Sequence, residues 1–254
     1  MKIDYFSEQQ QDLAALFLGK SMYKSLPLTY LDIGCGGPIE KNNTFLLEEN
    51  GWDGICIDIE DNLESFKELR KSPFYQLNTL EDDFLNVLDE SFEHKYVSYI
   101  SLDVDGSSLD TLKKIIDHDM TFAFMTFEHD YHYFATEERR ELTLKENYAG
   151  WNHNDSLGRT KEQILSCKHA SKAILQSCGY ELLFENVCFY HENTGDFLHP
   201  WEDWWINPKC FHPAARSFFS ILSSKNLHFQ DCVRRLETIS SYVAPKDKES
   251  EQND

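Results

Sequence analysis

Short apolar runs alternate with amphipathic stretches through the first half of this 254-residue chain. Thr29 to Ile33, Gly54 to Asp58, Phe74 to Asn78, Tyr96 to Leu102 and Phe122 to Phe127 are rich in β-branched and aromatic residues and read as buried strands. Between them the period changes to the helical one. Asn43 to Asn50 is closed by Gly51, Leu63 to Arg70 stops before Pro73, and Leu80 to Leu88 and Ser108 to Asp117 follow the next strands. Ahead of the first strand, Ser7-Glu8-Gln9-Gln10 has the form of a capping box before Leu13, Leu16 and Phe17, with Gly19 as a C-cap. Strand and helix thus alternate five times at short spacing, which predicts a parallel sheet with helices on both faces. Such sheets bind ligands at the carboxyl ends of their strands, where Asp32, Asp58, Asp103 and Glu128 stand.

The rhythm breaks after His129. Residues 129–159, rich in Tyr, His, Asn and Asp, read as an insertion for substrate recognition. A helix is expected over Thr160 to Ser177, ended by Gly179, then a strand over Tyr180 to Tyr190. A further strand near Trp201 to Ile206 completes an antiparallel hairpin at the sheet edge, and Phe218 to Ile239 reads as mostly helical. Residues 1–244 form one domain without internal repeats, and the polar tail 245–254 is expected to be disordered.

The densest chemical signal is Leu28-Thr29-Tyr30-Leu31-Asp32-Ile33-Gly34-Cys35-Gly36-Gly37-Pro38, an apolar run passing straight into a glycine turn. Glycines there permit positive φ and let a ligand approach the backbone. About twenty residues on, Gly54-Ile55-Cys56-Ile57-Asp58 ends in a carboxylate able to accept hydrogen bonds from ribose hydroxyls. An adenosine-containing cofactor is therefore expected in the N-terminal third. The dinucleotide fingerprint G-x-G-x-x-G fails at its third glycine, where Ile39 stands after Pro38, and no phosphate-cradling G-x-x-x-x-G-K-[ST] occurs.

Leu31-Asp32-Ile33-Gly34-Cys35-Gly36-Gly37 resembles motif I of the class I S-adenosylmethionine-dependent methyltransferases. Asn43 to Glu48, Gly51 to Asp58, Ser101-Leu102-Asp103-Val104-Asp105-Gly106 and Glu202-Asp203-Trp204-Trp205-Ile206-Asn207-Pro208 resemble segments of the FkbM-like members of that class. The resemblance spans roughly Leu28 to Pro208, with one departure: that family often has Glu where Asp58 stands. It implies a Rossmann-like, doubly wound α/β fold with a mostly parallel seven-stranded sheet and an antiparallel edge hairpin. It also implies that Gly34 and Gly36 receive the methionine part of the cofactor. Asp32 then reaches the ammonium directly or through water, Asp58 takes the ribose, and Asn78 or its neighbours meet the adenine.

Methyl transfer to an alcohol needs in-line placement of the acceptor and removal of its proton. Asp103, Glu128 and His129, after the fourth and fifth strands, are the candidate catalytic residues. Asp103 and Asp105, two apart, point the same way in a strand, so that both carboxylates would face one site. With Glu128 they would offer oxygen ligands of the kind Mg²⁺ or another divalent cation takes, as in metal-dependent sugar O-methyltransferases. The plainer reading makes Asp105-Gly106 a turn, with Asp105 or Ser107 capping the next helix, and His129 a hydrogen-bonded structural residue. His129-Asp130-Tyr131-His132 with His153 lacks zinc-site spacing. Tyr131, Tyr133, Phe134 and Trp151 read either as walls of an acceptor pocket or as ordinary packing.

Charge narrows the partners. With 44 acidic against 24 basic residues the net charge is -20, which disfavours nucleic acid and suits a sugar or small-molecule acceptor. Seven cysteines without C-x-x-C spacing, and no apolar run long enough for a signal peptide or membrane span, point to a reducing, cytoplasmic setting. Two other readings stay open on the residues alone: an NAD(P)-linked oxidoreductase, weakened by Ile39, and a non-catalytic scaffold that retains the fold.

Overall fold

A computed structural model of the chain describes residues 4–129, 161–190 and 198–243. In chain order the helices are α1 (Gln11–Gly19), α2 (Phe45–Glu49), α3 (Leu63–Leu69), α4 (Asp83–Ser91), α5 (Ser108–Asp117), α6 (Lys161–Ser177), α7 (Pro213–Leu222) and α8 (Phe229–Val243). The strands are β1 (Thr29–Ile33), β2 (Asp53–Asp58), β3 (Phe74–Gln76), β4 (Tyr96–Leu102), β5 (Thr121–Glu128), β6 (Glu181–Tyr190), β7 (Leu198–Ile206) and β8 (Ser224–Lys225).

The strands lie in the order β3-β2-β1-β4-β5-β7-β6-β8. The first five are parallel, β7 runs antiparallel between β5 and β6, and β8 pairs with β6 in parallel. This is the doubly wound, Rossmann-like α/β architecture expected, with its antiparallel edge hairpin. Alternate side chains feed two apolar layers. Leu31, Ile33, Ile57, Ile100 and Met125 pack on one face with residues of α4 and α5. Tyr30, Cys56, Tyr99, Phe124 and Trp204 pack on the other with residues of α1, α2, α7 and α8. No helix among the described residues is long and apolar enough to cross a membrane.

Two expectations need correction. The sheet has eight strands among the described residues, not seven, because the mostly helical stretch over 218–239 is interrupted at Ser223. The carbonyl of Leu222 and the Ser224 hydroxyl bind Arg235 Nη1 instead (3.2 and 2.6 Å), and β8 attaches to the sheet edge. Ser7 is not the N-cap residue of α1, a position held by Gln10. The Ser7 hydroxyl donates to Asp12 Oδ1 at 2.6 Å, and Asp12 also accepts from the Phe6 and Ser7 amides, folding the segment before the helix back onto its first turn. The carboxyl-terminal tail and most of the 129–159 insertion lie outside the described residues, as do Tyr131, His132, Tyr133, Phe134, Trp151 and His153.

Candidate functional site

At the top of β1 the chain turns at Gly34, whose φ of 78° belongs to the left-handed region that favours glycine. A β-carbon there would overlap the carbonyl oxygen of Asp103. The Gly34 amide donates to the Ile57 carbonyl (2.9 Å), and the Asp103 amide donates to the Ile33 carbonyl (2.9 Å). The carboxyl ends of β1, β2 and β4 are thereby stitched into one surface. Gly36, at φ 57°, faces open space, and its amide donates to Asp58 Oδ2 at 2.8 Å. Asp58 Oδ1 accepts from the Glu60 amide at 2.9 Å. Each carboxylate oxygen spends one lone pair on the backbone and keeps another for a ligand.

Above this surface lies a cavity of about 380 Å³ that brings together Gly34, Gly36, Asp58, Asn78, Asp103 and Asp105. Ile57, Ile59, Leu77 and Val104 supply its apolar walls. Its carboxylates are Asp58, Glu60, Asp103 and Asp105, and no Lys, Arg or His lines it among the described residues. The field inside is negative, so a cationic group is attracted and a phosphate repelled. A larger depression of about 720 Å³ lies over the start of β6, beside α6 and α7, away from these strand ends.

Asp32 does not line the cavity. It is buried beneath the glycine turn, where Oδ2 accepts from Thr44 Oγ1 (2.8 Å) and Asn42 Nδ2 (3.3 Å) while Oδ1 has no hydrogen-bond partner. Burial pushes its carboxyl up to about 6 against the opposing pull of the Thr44 hydroxyl and the Arg70 guanidinium. Arg70, at the end of α3, is buried as well. Its Nε meets Glu48 Oε2 (3.2 Å), Nη1 donates to Pro38 O (2.9 Å) and Asn42 Oδ1 (3.0 Å), and Nη2 donates to the Tyr30 hydroxyl (3.0 Å) and Thr44 Oγ1 (3.2 Å). Phe45 and Phe66 flank the guanidinium at 5.5 and 5.6 Å. Burial opposes ionisation of Glu48, but the Lys71 amide, Ser72 and Arg70 outweigh it and hold the carboxyl at about 2.

The metal expectation does not survive the backbone geometry. β4 ends at Leu102, Val104 leaves the extended region, and Asp105 sits in a 3₁₀ turn at φ 48°. The alternation that would aim Asp103 and Asp105 the same way stops before either residue. Among the described residues no group of three or more His, Cys, Asp or Glu side chains is placed to hold a metal ion, so Asp103, Asp105 and Glu128 do not fit a cation site. The turn reading holds for Asp105, while Ser107 makes no side-chain cap to α5.

Glu128 and His129 do not line the cavity either. The His129 side chain is fully buried, with Nε2 at 3.1 Å from Lys168 Nζ and 3.3 Å from Asp203 Oδ1. Lys168 reaches both Asp203 oxygens at 2.8 and 2.7 Å, and the Asn186 amide donates to Oδ1 at 2.7 Å. Burial works against the Asp203 charge, yet His129, Lys168 and that amide prevail and hold the carboxyl below the usual range. This cluster ties β5, β6, β7 and α6 together. Glu128 lies directly across from Glu202 in the β5–β7 ladder, both buried. Glu202 accepts from Trp204 Nε1 at 2.6 Å, and burial pushes its carboxyl up to about 8.

Arg70, Lys168 and Asp203 carry most of this buried polar architecture, and the sequence alone points to a role for neither Arg70 nor Lys168. Only Glu202-Asp203-Trp204-Trp205 offered a signal, two acids beside two tryptophans in an apolar strand.

No family model matches the sequence, and no curated protein does. Solved structures match the fold at low identity. An O-methyltransferase from Bacillus cereus, in complex with S-adenosylhomocysteine, is 10% identical over 81% of this chain and 82% of its own, with a TM-score of 0.46. The plantazolicin methyltransferase BamL is 13% identical over 79% and 85%, at 0.38. PKMT2 from Rickettsia typhi is 16% identical over 69% and 35%, at 0.36. At these values the functional reading rests on the residues of this chain.

Proposed function

We propose that the chain is a methyltransferase that uses S-adenosylmethionine and methylates a hydroxyl oxygen of a sugar or small molecule. The carrying observation is the charge of the cavity: four carboxyl groups and no basic side chain among its described lining residues, at the mouth of a glycine turn. S-adenosylmethionine brings a sulfonium and an ammonium to such a place, whereas a dinucleotide brings a pyrophosphate. The fold also withholds the dinucleotide's usual partner. α2 begins only at Phe45, so no helix N-terminus follows the glycine turn to receive phosphate.

When bound, the cofactor supplies an electrophilic methyl group. Gly34 and Gly36 give its methionine portion access to the backbone, Asp58 accepts from the ribose hydroxyls, and Asn78 with Ile59 and Leu77 borders the adenine. Asp103 is the catalytic residue of this reading that lines the cavity, and it takes the acceptor's proton. No metal-assisted step is derived, since the acidic residues do not form a cation site. The resemblance to FkbM-like enzymes at Asn43 to Asp58 and Ser101 to Gly106 supports the hydroxyl acceptor, and the scattered cysteines without C-x-x-C spacing support a cytoplasmic setting.

A thermal-shift comparison tests the cofactor class. S-adenosylhomocysteine is expected to raise the melting temperature while NAD and NADP leave it unchanged. Stabilisation by a nicotinamide dinucleotide alone would reverse the assignment.

A further inference from the structure

Beneath the glycine turn two observations meet. Asp32 is buried, and one of its carboxylate oxygens, Oδ1, has no hydrogen-bond partner. Its other oxygen is held by Thr44 and Asn42, and both of those side chains are held by Arg70. A buried acceptor left open is costly unless something completes it. Natural candidates are a ligand cation above the turn or a water bridging to one.

We infer that Arg70 is a positioning residue that, through Thr44 and Asn42, orients Asp32 toward the ammonium group of the bound cofactor and keeps it available as an anion. This rests on the methyltransferase reading above. Arg70 performs two tasks at once. Its Nη1 bond to the Pro38 carbonyl fixes the loop that covers Asp32, and its bonds to Asn42 Oδ1 and Thr44 Oγ1 orient the two donors to Oδ2. The guanidinium fork satisfies all of these acceptors from one plane, which a lysine cannot do. Arg70 itself touches no part of the cavity lining.

The charge of Asp32 is the quantity this arrangement controls. The groups that act on it are the Thr44 hydroxyl, Arg70 from the end of α3, the Ser101 hydroxyl from β4 and Asp58 from β2, with Cys35 of the turn and Tyr99 of β4 in its field. Burial and Asp58 favour the neutral acid, whereas the Thr44 hydroxyl, Arg70 and the Ser101 hydroxyl favour the carboxylate. With the carboxyl poised near 6, affinity for an ammonium-bearing ligand should fall as pH drops through that value, because the protonated acid no longer attracts a cation. Removing the Arg70 charge moves the transition upward.

The experiment is a calorimetric titration of the full chain with S-adenosylhomocysteine between about pH 5.5 and 8.5, bracketing the His-range window, with adenosine as the probe that lacks the ammonium. The wild type should lose affinity for S-adenosylhomocysteine with a midpoint near pH 6, while adenosine binding stays flat. In Arg70→Met the midpoint should rise by about one pH unit. In Arg70→Lys, which keeps the charge but not the fork, it should stay near the wild-type value while affinity falls at every pH. Thr44→Val, which removes one hydroxyl, raises the midpoint as well and serves if Arg70→Met does not fold.

An unchanged midpoint in Arg70→Met, or in Thr44→Val where the former is unfolded, overturns the inference. So does an adenosine profile with the same midpoint as S-adenosylhomocysteine. Absence of S-adenosylhomocysteine binding at every pH in the wild type is a separate result, which removes the methyltransferase reading itself and this inference with it.

Discussion

Gly34 and Asp103 touch backbone to backbone: the α-carbon of the first packs against the carbonyl of the second, with no room for a methyl group between them. The contact joins the end of β1 to the end of β4 and sets the depth of the cavity above. Gly36, two residues on, has the same sign of φ but nothing within 4 Å of where its β-carbon would be.

Those two glycines should therefore respond differently to alanine. Gly34→Ala combines a left-handed backbone with overlap onto Asp103 and is expected to cost about 3 kcal/mol or more of stability. Gly36→Ala carries only the conformational penalty, about 1–2 kcal/mol, yet it places a methyl group in the cavity. Chemical denaturation and S-adenosylhomocysteine titration separate the effects. Equal stability losses for the two variants would contradict the packing described.

The cluster of His129, Lys168 and Asp203 makes a stability prediction independent of catalysis. Asp203→Ala leaves Lys168 buried without its counter-charge and should cost about 3–5 kcal/mol. Replacing both, as in Lys168→Met with Asp203→Leu, should recover much of that loss. Because the folded-state carboxyl of Asp203 lies below its unfolded value, its contribution is complete above the ordinary aspartate range and is lost as pH falls toward the folded value. Denaturation midpoints of the wild type and Asp203→Ala should converge in acid; a constant gap down to low pH would count against the ion cluster.

Glu202 has the opposite sign. Its carboxyl rises from 4.5 in the unfolded chain to about 8 in the folded protein, so over that interval the folded state holds a proton that the unfolded state has released. Stability should fall as pH climbs from about 4.5 to 8 and then level off. A glutamine amide keeps a carbonyl oxygen where the protonated carboxyl has one and carries no charge, so Glu202→Gln keeps the bond from Trp204 Nε1. The variant should match the wild type below pH 4.5 and exceed it at pH 8 by on the order of 4 kcal/mol. A variant less stable than the wild type at pH 8 would show that Glu202 is ionised there.

What the sequence made legible was local. The span Thr29 to Ile33 coincides with β1, and the helix over Ser108 to Asp117 coincides with α5, because an apolar run or a helical period is written in neighbouring residues. Gly34, Gly36, Asp58, Asn78 and Asp103 were legible as a cavity lining because each follows or ends a parallel strand. The missed features depend on partners far apart in the chain. Arg70 lies 28 residues from Asn42 and 40 from Tyr30, and Lys168 lies 35 from Asp203; no spacing rule pairs them. The setting of His129 was hidden for the same reason, since its neighbours in sequence did not reveal the lysine and aspartate that enclose it. The two-residue β8 was hidden because so short an edge pairing has no period.

The central claim is that the cavity over Gly34, Gly36 and Asp58 holds S-adenosylmethionine. Its most direct test is calorimetric titration of the wild type and of Asp58→Ala with S-adenosylhomocysteine at pH 7.5, above the range where Asp32 is protonated. The account predicts one site per chain in the wild type and a loss of about 1–3 kcal/mol of binding free energy in Asp58→Ala, the cost of removing a charged hydrogen-bond partner. Binding of equal strength in the two proteins, or none in the wild type, would contradict it.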